Sequence, residues 1–396
     1  IMTVVTVAND NVCNAASLSL GFNGPYTNVG ATTEVGEPSP PQGSCTGQAT
    51  WCGGVNANNS VWYSFVAPAS GRVSIHFSPG NWDSQIALWS AANCADILGG
   101  TATLLAANDD SSGSSPYNAF IAPICLTPGT TYYVQVDGYA TTTNNNFGLL
   151  LKEENNDVVM SPKVILSGAY DMGTGLMRDS LRAGGLIPTA SPGAQSTTTG
   201  VLSNNAVPAN AIVDWVLLEL RDAGNSSTIL ASRYALLQRD GDVVNTDGVS
   251  PVVFPGMAMG NYYVSVKHRN HLGVMTATPA NLTFCNASVD FTTGSVWVNP
   301  LIVNAPRRTM GAVQALWAGD ANSNKNTKYN GLSNDKQFIL TAVGAPNNEL
   351  SGSYRPEDVN LDAKVKYNGL NNDRNIVAEN VGVTTPNNIL NQHTPN

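Results

Sequence analysis

The sequence predicts a mainly β protein, with two antiparallel β-sandwich domains in series followed by a small loop-helix repeat domain that carries calcium loops. Short runs of alternating apolar and polar residues, separated by turn clusters, fill the first two segments. A repeat with a period of 38 residues fills the third. These observations divide the 396 residues into domains at 1–153, 163–305 and 312–396.

The composition excludes several classes of function. Lys and Arg number 19 against 28 Asp and Glu, and Arg72 is the one basic residue before Lys152. So acidic a chain is not expected to bind nucleic acid. No run reaches the roughly 18 to 20 apolar residues of a membrane-spanning helix. The start at Ile1–Val7 lacks the basic region and length of a signal peptide, so we expect an already processed chain.

Six cysteines predict an extracellular or cell-surface location after signal-peptide removal, because disulfides persist in oxidising compartments. Five of the six lie in the first domain. We expect Cys94 to pair with Cys125, and Cys13 to pair with Cys45 or Cys52. Cys285 stands apart in the second domain and is expected to be a free buried thiol.

Four runs in the first domain have the two-residue period of half-buried strands: Ser60–Val66, Arg72–Phe77, Gln85–Trp89 and Tyr132–Asp137. Two longer segments, Val61–Gly71 and Pro128–Gly138, together with Asp83 before Ile86–Trp89, resemble a bacterial pre-peptidase C-terminal domain. The resemblance implies a small secreted β-sandwich that serves as an accessory for adhesion or targeting.

The second domain follows a charged linker at 152–157 and repeats the β pattern. Ile212–Arg221 is predicted as a strand, and Asn261–His268 as another. Arg233–Gln238 and Asp242–Val244 are expected to form a hairpin around Asp240-Gly241. The Ser- and Thr-rich stretch 191–205 is expected to be an exposed loop.

The third domain contains two copies of one unit, in which seven positions of the first copy recur 38 residues later. They are Asp320, Asn322, Asn324, Tyr329, Gly331, Asn334 and Asp335, repeated as Asp358, Asn360, Asp362, Tyr367, Gly369, Asn372 and Asp373. An apolar stretch ending in Val343-Gly344 or Val381-Gly382 follows each copy, which predicts a short helix closed by glycine.

Each copy places oxygen-bearing side chains on alternate positions of a tight loop, the arrangement that binds calcium in the first half of an EF-hand. The predicted ligands are Asp320, Asn322, Asn324 and Asp335 with the backbone carbonyl of Asn326, and Asp358, Asn360, Asp362 and Asp373 with the carbonyl of Lys364. The pattern resembles the duplicated calcium loops of dockerins. The second loop offers three carboxylates against two, so we expect it to bind calcium more tightly.

Two departures from the EF-hand pattern need explanation. The sixth position, normally glycine, is Lys325 or Ala363, and the twelfth, normally acidic, is Gly331 or Gly369. We therefore expect Asp335 and Asp373 to close longer loops. The alternative is that these two residues merely cap helices while the loops hold themselves through Asx hydrogen bonds.

A second group of acidic and amide side chains is a further candidate cation site, at a sheet edge of the first domain: Asp83, Asn108, Asp109, Asp110 and Asp137. The alternative is a turn with exposed acids. His268 and His271 lie at a predicted strand end, where a three-residue spacing does not direct both rings to one zinc ion. With no nucleophile or metalloprotease motif, no enzymatic activity is expected.

The whole chain is similar to large secreted surface proteins of Bacteroidetes-type bacteria, through Asp214–Asp222, Lys267–Met275 and the paired Lys-Tyr-Asn-Gly loops. The resemblance implies surface display. We expect a non-catalytic structural subunit of a surface fibre, sheath or coat. The apolar segment Ile1–Val7 would then add as a strand to a neighbouring subunit. The alternative, which is favoured for this segment by itself, is an ordinary first strand within its own domain.

The alternative function is a calcium-dependent carbohydrate-binding adhesin, or an accessory module of a secreted hydrolase, with a glycan or surface partner. Trp51, beside Cys52-Gly53-Gly54, is then the expected exposed aromatic residue that contacts the sugar. A third hypothesis is docking to a cohesin-type scaffold through the repeated loops.

Overall fold

The computed structural model describes residues 7–53, 56–78, 82–113, 115, 117–154 and 157–395. The chain divides into two compact units, 1–156 and 157–396. The predicted boundary between the second and third domains therefore lies within the second unit. Most of the predicted segment Ile1–Val7 falls outside the described residues. None of the helices in the described ranges has the length and apolar character to cross a membrane.

The N-terminal unit is a β-sandwich built from two antiparallel sheets. Its elements are β1 Ala16–Ser17, β2 Gly21–Tyr26, β3 Gln42–Gly43, β4 Trp51–Cys52, β5 Val61–Val66, β6 Arg72–Phe77, β7 Ser84–Ser90, α1 Cys94–Leu98, β8 Thr103–Asn108, β9 Phe120–Cys125, β10 Thr131–Gly138 and β11 Phe147–Glu153. One sheet has the order β1-β5-β10-β7-β8, and the other β2-β11-β6-β9. The short β1 pairs in parallel with β5, and β3 in parallel with β4.

Alternation along β5 supplies two separate cores. Val61 and Tyr63 point into the core between the sheets, with Ile75 from the facing sheet. Trp62, between them, faces a smaller cluster that also contains Trp51. Trp51 is fully buried, and its Nε1 donates a hydrogen bond to the Ile86 carbonyl at 2.9 Å. The expectation of an exposed Trp51 that contacts a glycan is therefore wrong, because the indole forms part of the core.

The disulfides differ from the expected pairing. Cys13 pairs with Cys94, and Cys45 with Cys52. The first bridge ties the 3-10 helix at Val12–Asn14 to the start of α1. Cys125 and Cys285 are both disulfide-bonded as well, so Cys285 is not a free thiol. The disulfides suit an extracellular protein.

The second unit begins with a β-rich body. Its elements are β12 Val158–Lys163, β13 Tyr170–Asp171, β14 Leu176–Met177, α2 Ser180–Ala183, α3 Thr199–Ser203, β15 Ile212–Asp222, β16 Ile229–Gln238, β17 Val243–Val244, β18 Val252–Phe254, β19 Gly260–His268, β20 His271–Met275, β21 Ala280–Leu282 and β22 Ala287–Asp290, with a 3-10 helix at Pro208–Asn210. The main sheet has the order β17-β16-β15-β19-β20, with β21 beside β19, and a second sheet has the order β18-β12-β22.

Buried residues of β15, such as Leu218, and of β19, such as Val266, build the core of this body. Leu316 and Leu361, both from the predicted third domain, belong to the same core. The stretch 191–205, expected to be a loop throughout, contains the short helix α3, whose first turn is capped by Thr198.

The remaining elements form a duplicated tail. They are β23 Arg308–Met310, β24 Val313–Ala315, β25 Asn326–Lys328, α4 Asp335–Val343, β26 Glu349–Ser351, β27 Lys364–Lys366, α5 Asp373–Val381 and β28 Ile389–Asn391. β25 pairs with β28, and β26 with β27. As predicted, each helix ends before a glycine of positive φ, Gly344 or Gly382. The helices share a small core that includes Ile339 and Val377.

Candidate metal centres

The first tail loop is organised around Asp320. One oxygen of its carboxylate accepts the Asn324 N–H at 2.8 Å, and the other accepts the Lys325 N–H at 2.9 Å. Asn322 Oδ1 also accepts the Asn324 N–H, and Asn324 Oδ1 accepts the Asn326 N–H. The alternate side chains predicted as ligands therefore turn inward along one tight loop.

The second loop repeats this pattern residue by residue. The Asp358 carboxylate accepts the N–H groups of Asp362 and Ala363 at 3.1 and 3.0 Å. Asn360 Oδ1 accepts the Asp362 N–H, and Asp362 Oδ1 accepts the Lys364 N–H. The two loops thus share one architecture, as the repeat in the sequence indicates.

The backbone explains how both loops form without the usual glycine at the sixth position. Lys325 and Ala363 each have a φ of 68°. This is the left-handed region, which costs a residue with a Cβ roughly 1–2 kcal/mol. Hydrogen bonds to the N–H groups of these residues hold the conformation in place. Both loops therefore make a left-handed turn at the sixth position without glycine.

Asp335 and Asp373 close the loops from the first residue of each helix. Asp335 accepts the N–H groups of Ala321 and Lys328 at 2.8 and 2.7 Å. Asp373 accepts those of Val359 and Lys366 at 2.9 and 2.8 Å. Both carboxylates are fully buried. They tie the start of the loop to its end across the intervening residues.

The same geometry rules out the idea that these aspartates are the helix caps. Asn334 accepts the Gln337 N–H at 3.0 Å, and Asn372 accepts the Asn375 N–H at 2.9 Å. Asparagine therefore supplies the cap in both copies. Asx hydrogen bonds do hold the loops in part, because the first three ligand positions of each loop accept backbone N–H groups.

The tail carboxylates are electrostatically unfavourable as anions. Burial raises the pKa of Asp320 to about 6, and that of Asp335 and Asp358 to about 7, against the opposing effect of their N–H donors. Burial, followed by repulsion from Asp358, raises the pKa of Asp373 well above its usual value. A hard divalent cation would relieve both effects.

The donor set of the first loop fits such a cation. Its side chains are carboxylate and amide oxygens, the ligands that calcium prefers. Asn326 Oδ1 is buried and has no hydrogen-bond partner among the described residues, so this residue offers a side-chain oxygen beyond its expected carbonyl. In the second loop, the Lys364 side chain turns away to pair with Glu349 at 2.8 Å.

The turn between β19 and β20 contacts both loops. The Asn270 carbonyl accepts the N–H groups of Gly319 and Asp320. Its side-chain amide donates to the carbonyls of Pro356 and Asp358, at 2.9 and 2.7 Å. Asn270 is fully buried. A single residue of the sheet therefore orients the first ligand position of each loop.

The same turn corrects the expectation for the two histidines. His268 and His271 lie directly opposite each other across the two-residue turn, so their rings meet. His268 Nε2 lies 3.0 Å from Asp214 Oδ2, and the two Nδ1 atoms lie 3.1 Å apart. His271 Nε2 accepts the Gly168 N–H, and its Nδ1 lies 2.8 Å from Asn270 Oδ1. A strand without a turn would have separated the rings.

This network assigns the protons. His268 Nε2–H donates to the carboxylate, and His271 Nδ1–H is shared between Asn270 Oδ1 at 2.8 Å and His268 Nδ1 at 3.1 Å. Burial lowers the pKa of both histidines, which favours neutral rings. All four ring nitrogens are engaged, and the pair offers no lone pair to a zinc ion.

Asp214 anchors the network. It is fully buried and receives the Tyr354 hydroxyl at 2.6 Å, while Arg269 pairs with it at 2.9 Å. Arg269 also lies over the Tyr354 ring, 4.3 Å from its centroid. Burial alone would raise the pKa of Asp214. Arg269 and the hydrogen bonds outweigh burial and hold this pKa far below its usual value. No local sequence pattern indicates this site, because Asp214 and Tyr354 lie in different predicted domains.

A cavity of about 400 Å³ adjoins this network. Aromatic and apolar side chains line it together with polar ones: Pro192, Trp215, Leu217, Tyr234, Tyr354, Lys267, Arg269 and Gln392. Asp320, Ser323 and Lys325 of the first tail loop line it as well.

The structure brings together three of the five residues predicted for the second cation site. A carboxylate oxygen of each of Asp83, Asp109 and Asp110 lies within 4.8 Å of the others. Asp137 lies apart, where its carboxylate accepts the N–H groups of Asn58, Asn59 and Gly138.

The fifth residue, Asn108, is also occupied by the backbone. Its amide donates to the carbonyls of Gly47 and Asp110, and its Oδ1 accepts the Phe120 N–H. Asn108 and Asp137 therefore bond to the backbone, and their role as ligands stays a prediction.

Comparisons with known proteins identify no family. No family model matches the chain, and no curated protein does. Among solved structures, the chain is similar to one from a type II cohesin-X-dockerin complex of Acetivibrio cellulolyticus, at 14% identity over 56% of this chain and 94% of that chain. The TM-score of 0.25 is too low for this likeness to bear on the fold or function of the protein.

Proposed function

We propose that the protein is a non-catalytic extracellular structural subunit, part of a surface fibre, sheath or coat, whose tail is stiffened by calcium. The observation that carries the proposal is the matched pair of loops, each with buried carboxylates held around one tight turn. The resemblance to dockerin loops and to Bacteroidetes-type surface proteins points in the same direction.

Calcium has a physical reason to be needed in the tail. Helices of nine residues are too short to be stable alone, and the core that they share is small. The closing carboxylates Asp335 and Asp373 are buried, and among the described residues their hydrogen-bond donors are backbone N–H groups. Bound ions would neutralise these groups and fix each helix to its loop.

The metal sites can be tested by calorimetric titration with calcium of the full chain, after a chelator has removed any bound metal. We expect the double variant D335N/D373N to lose two bound ions relative to wild type. The matched control is E379Q, which removes an exposed carboxylate from α5 and should bind as wild type does. Equal stoichiometry in wild type and the double variant would refute the calcium tail.

Electron microscopy with calcium and then with chelator tests the structural role. Ordered polymers that dissociate on chelation support a calcium-dependent subunit. Monomers under both conditions, at concentrations where the metal sites are full, contradict assembly while leaving calcium binding intact. Deletion of residues 1–7 should leave folded monomers if that segment adds as a strand to a neighbour.

A second candidate function, calcium-dependent carbohydrate binding, is favoured by the cavity beside Asp214. Aromatic faces such as Tyr234 contact the apolar faces of sugar rings, and Gln392 offers polar groups to hydroxyls. Asp320 lines the same cavity, which would make binding sensitive to calcium. A glycan array with Y234A as the variant tests this function, and Y262F, outside the cavity, is the control.

A further inference from the structure

We propose that Asp83, Asp109 and Asp110 form a divalent-cation site in the N-terminal unit, independent of the tail and best suited to calcium. The topology of the sheet explains why these residues meet. Asp83 precedes β7, and Asp109 and Asp110 follow β8. β7 and β8 are antiparallel neighbours, with Ile86 opposite Asn108, so the start of one strand lies beside the end of the other.

Asp109 is held in the orientation of a ligand. Its side chain is fully buried. Its Oδ2 accepts the Cys52 N–H at 2.8 Å and the Gln85 amide at 2.6 Å, whereas its Oδ1 has no hydrogen-bond partner among the described residues. One oxygen therefore positions the carboxylate, and the other stays available to an ion.

Gln85 provides an independent observation. It is fully buried, its Nε2 is bonded to Asp109, and its Oε1 has no partner in the described part of the chain. A buried acceptor left unsatisfied costs about 1–3 kcal/mol. The Nε2 of Gln85 anchors the amide on Asp109, which is a member of the acid cluster. A cation bound at the cluster would satisfy the orphan oxygen of Asp109.

The N-terminal unit has few basic side chains that could neutralise the cluster. Arg72 is the one basic residue before Lys152, and Lys152 pairs with Glu154. Burial, and then repulsion from Asp109 and Asp110, raises the pKa of Asp83 to about 6. Three carboxylates this close are stable together as anions only with a counter-charge.

The space around the cluster suits calcium. The three aspartates line a cavity of about 250 Å³, together with Tyr117 and Tyr139. Calcium takes six to eight oxygen ligands in flexible geometry, and a cavity of this size leaves room for the waters that would complete its shell. Cys52, which also lines the cavity, is in a disulfide and supplies no thiolate.

Calorimetric titration of the chelator-stripped full chain with calcium chloride tests the site. We expect D83N/D110N to bind one ion fewer than wild type. The tail variant D335N/D373N should retain this ion, and the matched control E153Q, on an exposed acid of β11, should bind as wild type. If D83N/D110N binds one ion fewer but D335N/D373N binds as wild type does, this proposal holds and the calcium tail of the proposed function fails. If D335N/D373N loses two ions but D83N/D110N binds as wild type does, the proposed function holds and this proposal fails.

Melting temperatures give a second readout that does not depend on stoichiometry. In chelator, D110N should melt above wild type, because removing one charge relieves repulsion. In calcium, D110N should melt below wild type, because a ligand is lost. The single variant D83N should show the same reversal. An unchanged ion count, or variants that melt above wild type in both conditions, would overturn the proposal.

Discussion

The side-chain amide of Asn270 lies 2.7 Å from the carbonyl oxygen of Asp358. A sheet hairpin thus holds the first ligand position of the second tail loop, and the carbonyl of the same Asn270 receives N–H groups from the first. The two loops are therefore fixed relative to the sheet through one fully buried residue.

N270A should destabilise the protein by about 1–3 kcal/mol, because buried carbonyls lose their donor. It should also lower the calcium affinity of the tail loops. The control N281A removes an exposed asparagine of β21 and should change stability by less than about 0.5 kcal/mol. Urea unfolding measures the stability of both variants. An N270A protein as stable as N281A would show that the contact is unimportant.

The two tail sites should differ in affinity. The second loop has three carboxylates, Asp358, Asp362 and Asp373, and the first has two, so the second should fill first. In a calcium titration, D373N should remove the tighter binding step and D335N the weaker one. The reverse assignment would mean that charge does not rank the sites.

Chelated protein should lose stability as the pH rises from 5 to 8. The folded-state pKa values of Asp320, about 6, and of Asp335 and Asp358, about 7, lie above the ordinary 3.8. A raised carboxyl pKa contributes stability that is full below the unfolded pKa and is lost as the pH rises through the folded one. The pKa of Asp214 is lowered, so its contribution to stability changes only at acidic pH, below this window.

Calcium should reverse this trend, because protons compete with the ion for the carboxylates. The affinity of the tail for calcium therefore increases as the pH rises through the same window. Thermal melts in chelator and in calcium at several pH values measure both effects. In chelator, the melting temperature of D335N should fall less between pH 5 and pH 8 than that of wild type. A melting temperature in chelator that rises across this window would contradict the assignment.

A363G should stabilise the protein by about 0.5–1 kcal/mol, because Ala363 has a φ of 68° and glycine adopts that conformation without steric cost. The matched control A378G, inside α5, should destabilise it by about 1 kcal/mol. Opposite signs for the two substitutions in chemical unfolding are the expected result. Destabilisation by both would mean that the loop does not hold the left-handed turn.

Y354F should destabilise the protein by about 1–3 kcal/mol, because buried Asp214 loses the donor 2.6 Å away. Y262F provides a matched control, since that hydroxyl donates to the Ala258 carbonyl at an exposed position and should matter by less than about 0.5 kcal/mol. Equal losses in the two variants, measured by urea unfolding, would remove the special role of the Asp214 network.

Local patterns predicted much of the fold. Arg72–Phe77 was expected as a strand and is one, because the period of two is set by the pleat and is visible in sequence. The helix ends at Val343 and Val381 were also predictable, because Gly344 and Gly382 take a positive φ. In the tail, the displaced closure by Asp335 and Asp373 followed from the repeat alone.

Other features depend on which segments meet. Cys13 pairs with Cys94 because the 3-10 helix at Val12–Asn14 lies against α1, and nothing local encodes that contact. Trp51 is buried for the same kind of reason. The ring contact of His268 with His271 requires a turn that the strand pattern did not reveal.

The sequence by itself determined the β-rich class, the acidic composition and the duplicated loops, since each is a property of composition or of residues close together in the chain. The tertiary structure alone decided that Asp83 meets Asp109 and Asp110, that Asp137 does not, and that Asn270 joins both tail loops. These contacts join distant segments, and their partners are set by strand order and register.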